Sequence, residues 1–212
     1  MDCMKIPKNI FICVADKNKI PESYLKNIED IKIKNPSYSL KLLDNNDFLT
    51  ILNEEKKEWL PYFLKLNTNL GAMIGDYMRY CLLYFYGGVY MDAKSTNKKP
   101  LDDIIRDNTI PIFYHHKTKE IDEYLNYFLI SNKNEKIYLE IINGINLKIK
   151  NYKKVDNIKK PLWNVIHFTG PRYLKFLIDN SIYKDNIIIR SNIERKKDIR
   201  YSIFGGITKH RK

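Results

Sequence analysis

Residues 75–94 read GDYMRYCLLYFYGGVYMDAK, and this stretch decides the fold. Apolar side chains recur there at helical spacing, which predicts an amphipathic helix over 72–86. The helix is expected to end at Gly87-Gly88, because glycine adopts the left-handed backbone conformation at little cost. A short strand over 89–91 follows directly. Asp92 therefore stands at the carboxyl end of a strand that begins where a helix stops.

Two charged residues of the predicted helix lie on one face. Asp76 and Arg79 are three positions apart, which brings their side chains together on a helix. Ligands of open α/β sheets bind beyond the carboxyl ends of the strands, so Asp92 is expected to point into the same crevice. The alternative is a solvated surface pair worth about 0.5 kcal/mol, with Asp92 capping a turn. Spacing alone leaves both interpretations open.

The rest of the chain alternates between strand and helix patterns. The predicted strands cover 9–14, 38–43, 110–114, 124–130 and 186–190. The predicted helices cover 21–32, 49–66 with an interruption at Pro61, 135–150 and 171–178. This order predicts an α/β fold with a Rossmann-like, mainly parallel sheet flanked by helices. We expect one domain over residues 1–212, either complete or as a module of a longer polypeptide.

The positive charge of the chain is concentrated in its last third. The formal net charge is +12; residues 1–144 hold 20 basic and 20 acidic side chains, whereas residues 145–212 hold 17 and 5. Such an asymmetry predicts an anionic partner, either nucleic acid, an acidic membrane surface or a phosphorylated small molecule. The sequence contains no helix-turn-helix, zinc-finger or aromatic RNA-binding signature, so we expect no nucleic-acid partner. Peripheral membrane contact is left open.

Cysteine usage and hydropathy indicate the compartment. Cys3, Cys13 and Cys81 are odd in number and lack the spacing of a zinc site, which argues against a disulfide framework. No apolar run approaches the roughly 20 residues needed to span a bilayer. The first residues lack the apolar core of a signal peptide. We therefore expect a soluble protein in the cytoplasm.

The stretch 76–94 resembles the DXD-containing sugar-binding region of glycosyltransferase family 32 and its relatives among capsular polysaccharide enzymes and glucosylating toxins. The family pattern is D-x-x-R-Y-x-x-L-Y-x-x-G-G-[IV]-Y-x-D-x-D, and this chain matches it from Asp76 to Asp92. Ile6 to Phe11 (IPKNIF) is similar to the family's IPKxIH opening. Thr169-Gly170-Pro171 is similar to a later TGP element. These anchors extend over most of the chain.

The resemblance implies a GT-A fold and a glycosyltransferase that moves a sugar from a UDP- or GDP-sugar to a glycan or other hydroxyl acceptor, with retention of anomeric configuration. It implies that Asp76 contacts the ribose or donor sugar and that Arg79 contacts the donor sugar or diphosphate. Asp92 would face the ribose and a metal ion, Mn²⁺ or Mg²⁺. Phe11 and Ile12 would line the base pocket.

One position departs from the family pattern, because Lys94 stands where the second Asp of the motif is expected. Negative charge develops on the departing diphosphate, and a divalent cation is the common way to neutralise it. Three interpretations follow. Lys94 supplies the positive charge as a point charge and acts as a catalytic group with Asp92 and Arg79, or the protein binds a nucleotide sugar without turnover. In the third, a metal remains on Asp92 with help from His210.

The C-terminal third contains two further candidate elements. Thr169-Gly170-Pro171 opens a predicted helix, whose free N–H groups and Arg172 are suited to an anion, although a plain capped helix fits equally well. The chain ends in FGGITKHRK, where Lys209 and His210 lie on a basic tail. Such a tail is suited to closing over a diphosphate. A merely solvated tail is the alternative.

The remaining polar candidates are expected to have structural roles. His115 and His116 end a predicted strand, and a role in acceptor recognition is weaker than a structural one. His167 lies in an apolar run and is predicted to be a core residue. Asp102 and Asp103 follow a proline and are predicted to begin a short helix.

Overall fold

The computed structural model describes residues 5–66, 70–151 and 161–201. Strands and helices alternate along most of this part of the chain. The strands are β1 (Asn9–Cys13), β2 (Ser39–Leu43), β3 (Gly88–Met91), β4 (Ser95–Asn97), β5 (Ile112–Lys117), β6 (Asp122–Tyr124), β7 (Phe128–Ser131), β8 (Ile188–Arg190) and β9 (Ile199–Tyr201). The helices are α1 (Glu22–Lys34), α2 (Asn45–Glu55), α3 (Leu60–Leu64), α4 (Gly71–Tyr86), α5 (Leu101–Ile105), α6 (Lys136–Asn151), α7 (Pro161–Phe168), α8 (Pro171–Asp179) and α9 (Asn192–Asp198).

Seven strands form one sheet in the order β2-β1-β3-β7-β5-β6, with β8 paired to β5. β1 is parallel to both β2 and β3, and β5 is parallel to β8. β7 is antiparallel to β3 and β5, and β6 is antiparallel to β5. Strands β1, β2, β3, β5 and β8 therefore run in one direction and β6 and β7 in the other. The predicted α/β class with a mostly parallel sheet is confirmed.

The central strands β1, β3 and β7 are buried on both faces, which is typical of strands covered by helices. On one face, Phe11 and Tyr90 pack with the side chains of α4 and α6. On the other face, Ile10, Ile12 and Val89 pack with α1 and α5. This alternation along β1 and β3 follows from the two-residue period of a strand. The three layers fix the carboxyl ends of β1 and β3 side by side.

The structure corrects several boundaries predicted from the sequence. The predicted strand 124–130 is two strands, β6 and β7, with an irregular turn between them. The helix predicted over 49–66 breaks at Lys56, where the backbone leaves the helical conformation, while Pro61 occupies the first turn of α3. A proline is accepted there because the first helical N–H groups have no intrahelical partner. Strands β4 and β9 form a separate two-stranded sheet that was not predicted.

Two further predictions concern polar residues of the fold. His167 was predicted to be a core residue, and this is wrong: it is exposed at the end of α7, with its ring facing Arg172. The short helix after Pro100 is confirmed as α5, and Asp102 on its first turn binds Lys8 and Tyr38.

Among the described helices, none is long and apolar enough to cross a membrane.

Gly87 and Gly88 join α4 to β3 and adopt φ angles of 61° and 111°. Residues that carry a side chain rarely adopt such φ angles. Close packing adds a second constraint, because a Cβ on Gly88 would lie 2.5 Å from the carbonyl oxygen of Asn9 on β1. The backbone of β3 can thus approach β1 only without a side chain at position 88.

We expect Gly88→Ala to lower the free energy of unfolding by about 2–4 kcal/mol, because it combines backbone strain with a backbone clash. Urea denaturation measures this difference. Gly71→Ala is the matched control: nothing lies within 4 Å of a Cβ at the start of α4, so a change below about 1 kcal/mol is expected. Equal stability of the two variants would contradict this account of the helix–strand junction.

Candidate active site

A cleft of about 560 Å³ opens at the carboxyl ends of β1 and β3. Its walls come from the chain that follows β1, the first turn of α1, the residues after β3, and the end of β9. The lining residues are Cys13, Val14, Ala15, Asp16, Lys19, Ile20, Pro21, Tyr24, Asp92, Ala93, Lys94 and Tyr201. The size is typical of small-molecule sites. The position is the one expected for ligands of an open α/β sheet.

The guanidinium of Arg79 lies beneath this cleft and is 5% exposed. Its Nη2 is 3.4 Å from Oδ1 of Asp76 and 3.3 Å from Oδ1 of Asp92. Nε donates to the Gly75 carbonyl at 3.0 Å, and Nη1 donates to the carbonyl of Asn126. The ring of Tyr90 lies 4.6 Å from the guanidinium carbon. A buried charge needs such pairing, so the alternative of a solvated surface pair is wrong.

Asp76 is 2% exposed and is held by two further side chains. The Asn126 amide donates to Oδ1 at 2.6 Å and the Thr169 hydroxyl donates to Oδ2 at 2.8 Å. Burial raises the pKa of Asp76 to about 6, although the Arg79 charge acts in the opposite direction. Thr169 lies between α7 and α8 and belongs to the TGP element. Through this hydrogen bond, the TGP element supports the charged cluster of Asp76, Arg79 and Asp92.

Asp92 is the member of the cluster that reaches the cleft, with 23% of its side chain exposed. Its Oδ1 accepts a hydrogen bond from the Tyr90 hydroxyl at 2.9 Å in addition to the Arg79 contact. Asp76 and Arg79 are not among the lining residues. Their direct contact with a donor stays a prediction, while Arg79 contacts both Asp76 and Asp92.

Lys94 lines the cleft two residues after Asp92 and is half-buried. Its Nζ lies 5.8 Å from the centre of the Tyr24 ring. Within the described part of the chain, no carboxylate pairs with this ammonium group. Lys94 is thus a cation directed at the cleft wall without a partner of opposite charge there.

The loop between β3 and β4 is held by a residue that sequence reasoning missed. Asn27 on α1 is buried, and its amide donates to the carbonyls of Ala93 at 2.9 Å and Ser95 at 2.8 Å. The backbone N–H and the hydroxyl of Ser95 both donate to the Asp92 carbonyl at 2.8 Å. An asparagine inside an amphipathic helix was the available signal, because buried amides are retained where they bind backbone groups.

The predicted base-pocket residues lie deeper than the cleft. Phe11 and Ile12 are fully buried, on opposite faces of the sheet. The cleft is lined instead by Cys13, Val14 and Ala15, which follow them. Burial raises the pKa of the Cys13 thiol to about 12, so Cys13 is not poised as a thiolate. Lys209 and His210 lie outside the described residues.

The C-terminal strand supplies one wall of the cleft. β9 pairs with β4 in antiparallel register, with Tyr201 opposite Ser95. The Tyr201 ring packs on Tyr127, with ring centres 4.3 Å apart. β4, which follows β3, therefore lies beside the end of the described chain. No local sequence pattern indicates this pairing.

The described residues do not form a ligand set for a divalent cation. In residues 5–66, 70–151 and 161–201 no three His, Cys, Asp or Glu side chains come together as a metal site. Asp92 is already paired with Arg79, and Lys94 occupies the position of a second carboxylate. Mn²⁺ and Mg²⁺ prefer carboxylate, carbonyl and water oxygens, and an adjacent ammonium opposes them. His210, the other predicted metal ligand, is not part of the described chain.

Residues 21–111 match a family model described as "Glycosyltransferase sugar-binding region containing DXD motif". This range includes Asp76, Arg79, Asp92 and Lys94. Residues 21–111 are thus similar to this glycosyltransferase family. The matched region contains the α1 wall of the cleft as well as Asp76, Arg79 and Asp92.

One curated relative is inositol phosphoceramide mannosyltransferase 1 of Schizosaccharomyces pombe. It is 29% identical over 142 residues, which is 66% of this chain and 43% of the relative. The chain therefore spans less than half of the length of that relative. Its name describes the relative and not this chain.

Two solved structures have a similar fold. PaToxG glycosyltransferase gives a TM-score of 0.62 at 18% identity, covering 85% of this chain and 70% of that structure. The ligand-free glycosyltransferase domain from the YGT toxin gives a TM-score of 0.65 at 8% identity, covering 88% of this chain and 80% of that structure. At these identities the likeness concerns the fold alone. The predicted GT-A fold is confirmed.

The raised pKa of Asp76 predicts a specific pH dependence of stability. The folded state binds this proton more tightly than the unfolded chain, whose pKa is near the ordinary 3.8. The stabilising contribution is then complete below about pH 4 and is lost as pH rises through about 6.

Asp76→Asn removes this titration and leaves the other groups in place. We expect the unfolding free energy of the wild type, relative to this variant, to fall between about pH 4 and 6 and to level off above about pH 7. Urea unfolding of both proteins across this range measures the difference. A difference that does not change with pH would contradict the assignment of a raised pKa to Asp76.

Proposed function

We propose that this chain transfers a sugar from a UDP- or GDP-sugar to a hydroxyl group of a glycan or other acceptor. The observation that carries the proposal is the cleft at the carboxyl ends of β1 and β3, where Asp92 and Lys94 of the DXD region meet the wall formed by α1. The match of residues 21–111 to the glycosyltransferase family model supports sugar transfer as the class of reaction. Retention of anomeric configuration and a cytoplasmic location are further parts of this proposal, and they rest on the resemblance and on the composition.

The proposed division of labour follows from burial. Asp92 presents a carboxylate to the cleft and accepts hydrogen bonds from hydroxyl groups of the donor. Arg79 and Asp76 act from below as positioning residues, since Arg79 contacts Asp92 at 3.3 Å and Asp76 in turn contacts Arg79 at 3.4 Å. A carboxylate fixed in this way loses little conformational freedom when a ligand binds.

Charge on the cleft wall matches the needs of the leaving group. Negative charge develops on the departing diphosphate as the bond to the sugar breaks, and fixed positive charge lowers the barrier. Lys94 lines the cleft next to Asp92 and brings such a charge. The same side chain therefore links donor binding to the chemical step in this proposal.

A thermal-shift panel of nucleotide sugars tests the proposal. UDP- and GDP-sugars are compared, and GDP-mannose is included because the S. pombe relative is named a mannosyltransferase. A donor at about 100 times its Kd stabilises the native state by about 2.7 kcal/mol. For a chain of this size that corresponds to a rise in Tm of about 5–10 °C.

The variant Asp92→Asn is expected to reduce this shift to less than half, because it removes the carboxylate charge that faces the donor. Asp103→Asn is the matched control, since Asp103 is exposed on α5 away from the cleft and should keep the full shift. A full shift in the Asp92 variant would contradict the site. A shift without transfer to any acceptor or water would favour a protein that binds nucleotide sugars without turnover.

A further inference from the structure

We propose that Lys94, assisted by Lys19, binds the diphosphate of the donor in place of a divalent cation, so that donor binding is independent of metal. The proposal rests on the proposed function, because it concerns how a nucleotide diphosphate is held in the same cleft. It assigns a phosphate-binding role to two lysines, one of which follows β1 and is outside the DXD region.

One cation that lines the cleft has no carboxylate partner among the described residues. Four lining residues carry charge: Asp16, Lys19, Asp92 and Lys94. Asp92 is paired with Arg79 at 3.3 Å, and Arg79 is also paired with Asp76. Asp16 lies 3.5 Å from Lys19 and also accepts a hydrogen bond from the backbone N–H of Asn18. Lys94 has no carboxylate partner among the described residues, so its charge is available to an anion.

Lys94 is also held in place more firmly than an ordinary surface lysine. The backbone on either side of it is fixed by the buried Asn27 amide, which binds the carbonyls of residues 93 and 95 at 2.9 and 2.8 Å. Its Nζ lies 5.8 Å from the centre of the Tyr24 ring, at cation–π distance. A cation placed in advance loses less freedom on binding phosphate and binds it more tightly.

Lys19 reaches the cleft from the 3₁₀ turn Lys17–Lys19, which follows β1. Its side chain is 83% exposed and its contact with Asp16 is at the surface, where an ion pair is weak. The diphosphate, with two or more negative charges, competes well for this ammonium group. Lys19 is therefore the second cation of the proposed site, with a smaller contribution than Lys94.

A divalent cation fits this arrangement poorly. Asp92, the one motif carboxylate left to bind it, is already engaged at Oδ1 by Arg79 at 3.3 Å and by the Tyr90 hydroxyl at 2.9 Å. The cation would also lie near the Lys94 ammonium, which repels it. Lys94, which replaces the second Asp of the motif, is thus compatible with the charges around it.

The test is isothermal titration with UDP and GDP as probes, in EDTA and in Mn²⁺. The wild type is expected to bind one of the two with the same Kd in both conditions. Lys94→Gln is expected to weaken this binding about tenfold to a hundredfold in both, which is the range for a hydrogen bond to a charged group. Lys19→Gln is expected to weaken it about threefold to tenfold. The parent nucleoside, without phosphate, should bind wild type and variants alike.

Lys94→Asp tests the proposal by a gain of metal dependence, because it restores a second carboxylate to the motif. This variant is expected to lose nucleotide binding in EDTA and to regain it with Mn²⁺. Lys26→Gln is the control, since Lys26 is exposed on α1, paired with Glu22 at 2.8 Å, and outside the cleft. It should bind as the wild type does, in both conditions.

Three results would overturn the proposal, and they differ in what else they affect. If the wild type binds the nucleotide in Mn²⁺ but not in EDTA, the metal-free site is wrong while the proposed function stands. If neither UDP nor GDP binds in any condition, the proposed function fails as well. Unchanged binding by Lys94→Gln would also remove Lys94 from the site.

Discussion

The buried guanidinium of Arg79 is the interaction on which the site depends. It joins three parts of the chain: α4 through Gly75 and Asp76, the end of β3 through Asp92, and the more distant turn between β6 and β7 through the Asn126 carbonyl. Removing a charge from water is costly unless every donor finds a partner. The fold provides partners for Nε, Nη1 and Nη2 of this guanidinium and thereby fixes Asp92, the carboxylate of the buried cluster that reaches the cleft.

The GT-A scaffold brings these parts together by simple means. α4 ends at Tyr86 and β3 begins at Gly88, so the helix and the strand are joined through Gly87 and Gly88 with no loop between them. β1 and β3 are parallel neighbours, which places the residues after both strands at one edge of the sheet. The cleft then has two chemically different layers. Paired, buried charges lie below, and Asp92 and the lysines lie at the surface.

Much of this arrangement could be predicted from the sequence, because its signals are local. Helical spacing placed Asp76 and Arg79 on one face, and the double glycine located the start of β3. The burial of that face could not be predicted, since spacing is the same for a surface pair. It depends on Asn126 and Thr169, which arrive from turns 50 and 93 residues away from Asp76.

Contacts between distant segments explain the other differences. The predicted strand 124–130 is interrupted because Asn126 turns toward Asp76 and because the Tyr127 carbonyl binds the Asp92 N–H at 2.9 Å. The pairing of β4 with β9 joins segments about a hundred residues apart, and short strands without strong alternation give little signal. Asn27 was missed for the same reason, as its partners lie 66 and 68 residues further on.

The central claim is that Arg79 acts on the ligand through Asp92, and a double-mutant cycle tests it most directly. The affinity for the nucleotide sugar with the largest thermal shift is measured for wild type, Arg79→Lys, Asp92→Asn and the double variant. Lysine keeps the charge but cannot bind both carboxylates and both carbonyls at once. The account predicts that Arg79→Lys weakens binding about tenfold alone but less than about twofold in the Asp92→Asn background. Equal losses in both backgrounds would show that Arg79 acts independently of Asp92 and would contradict the account.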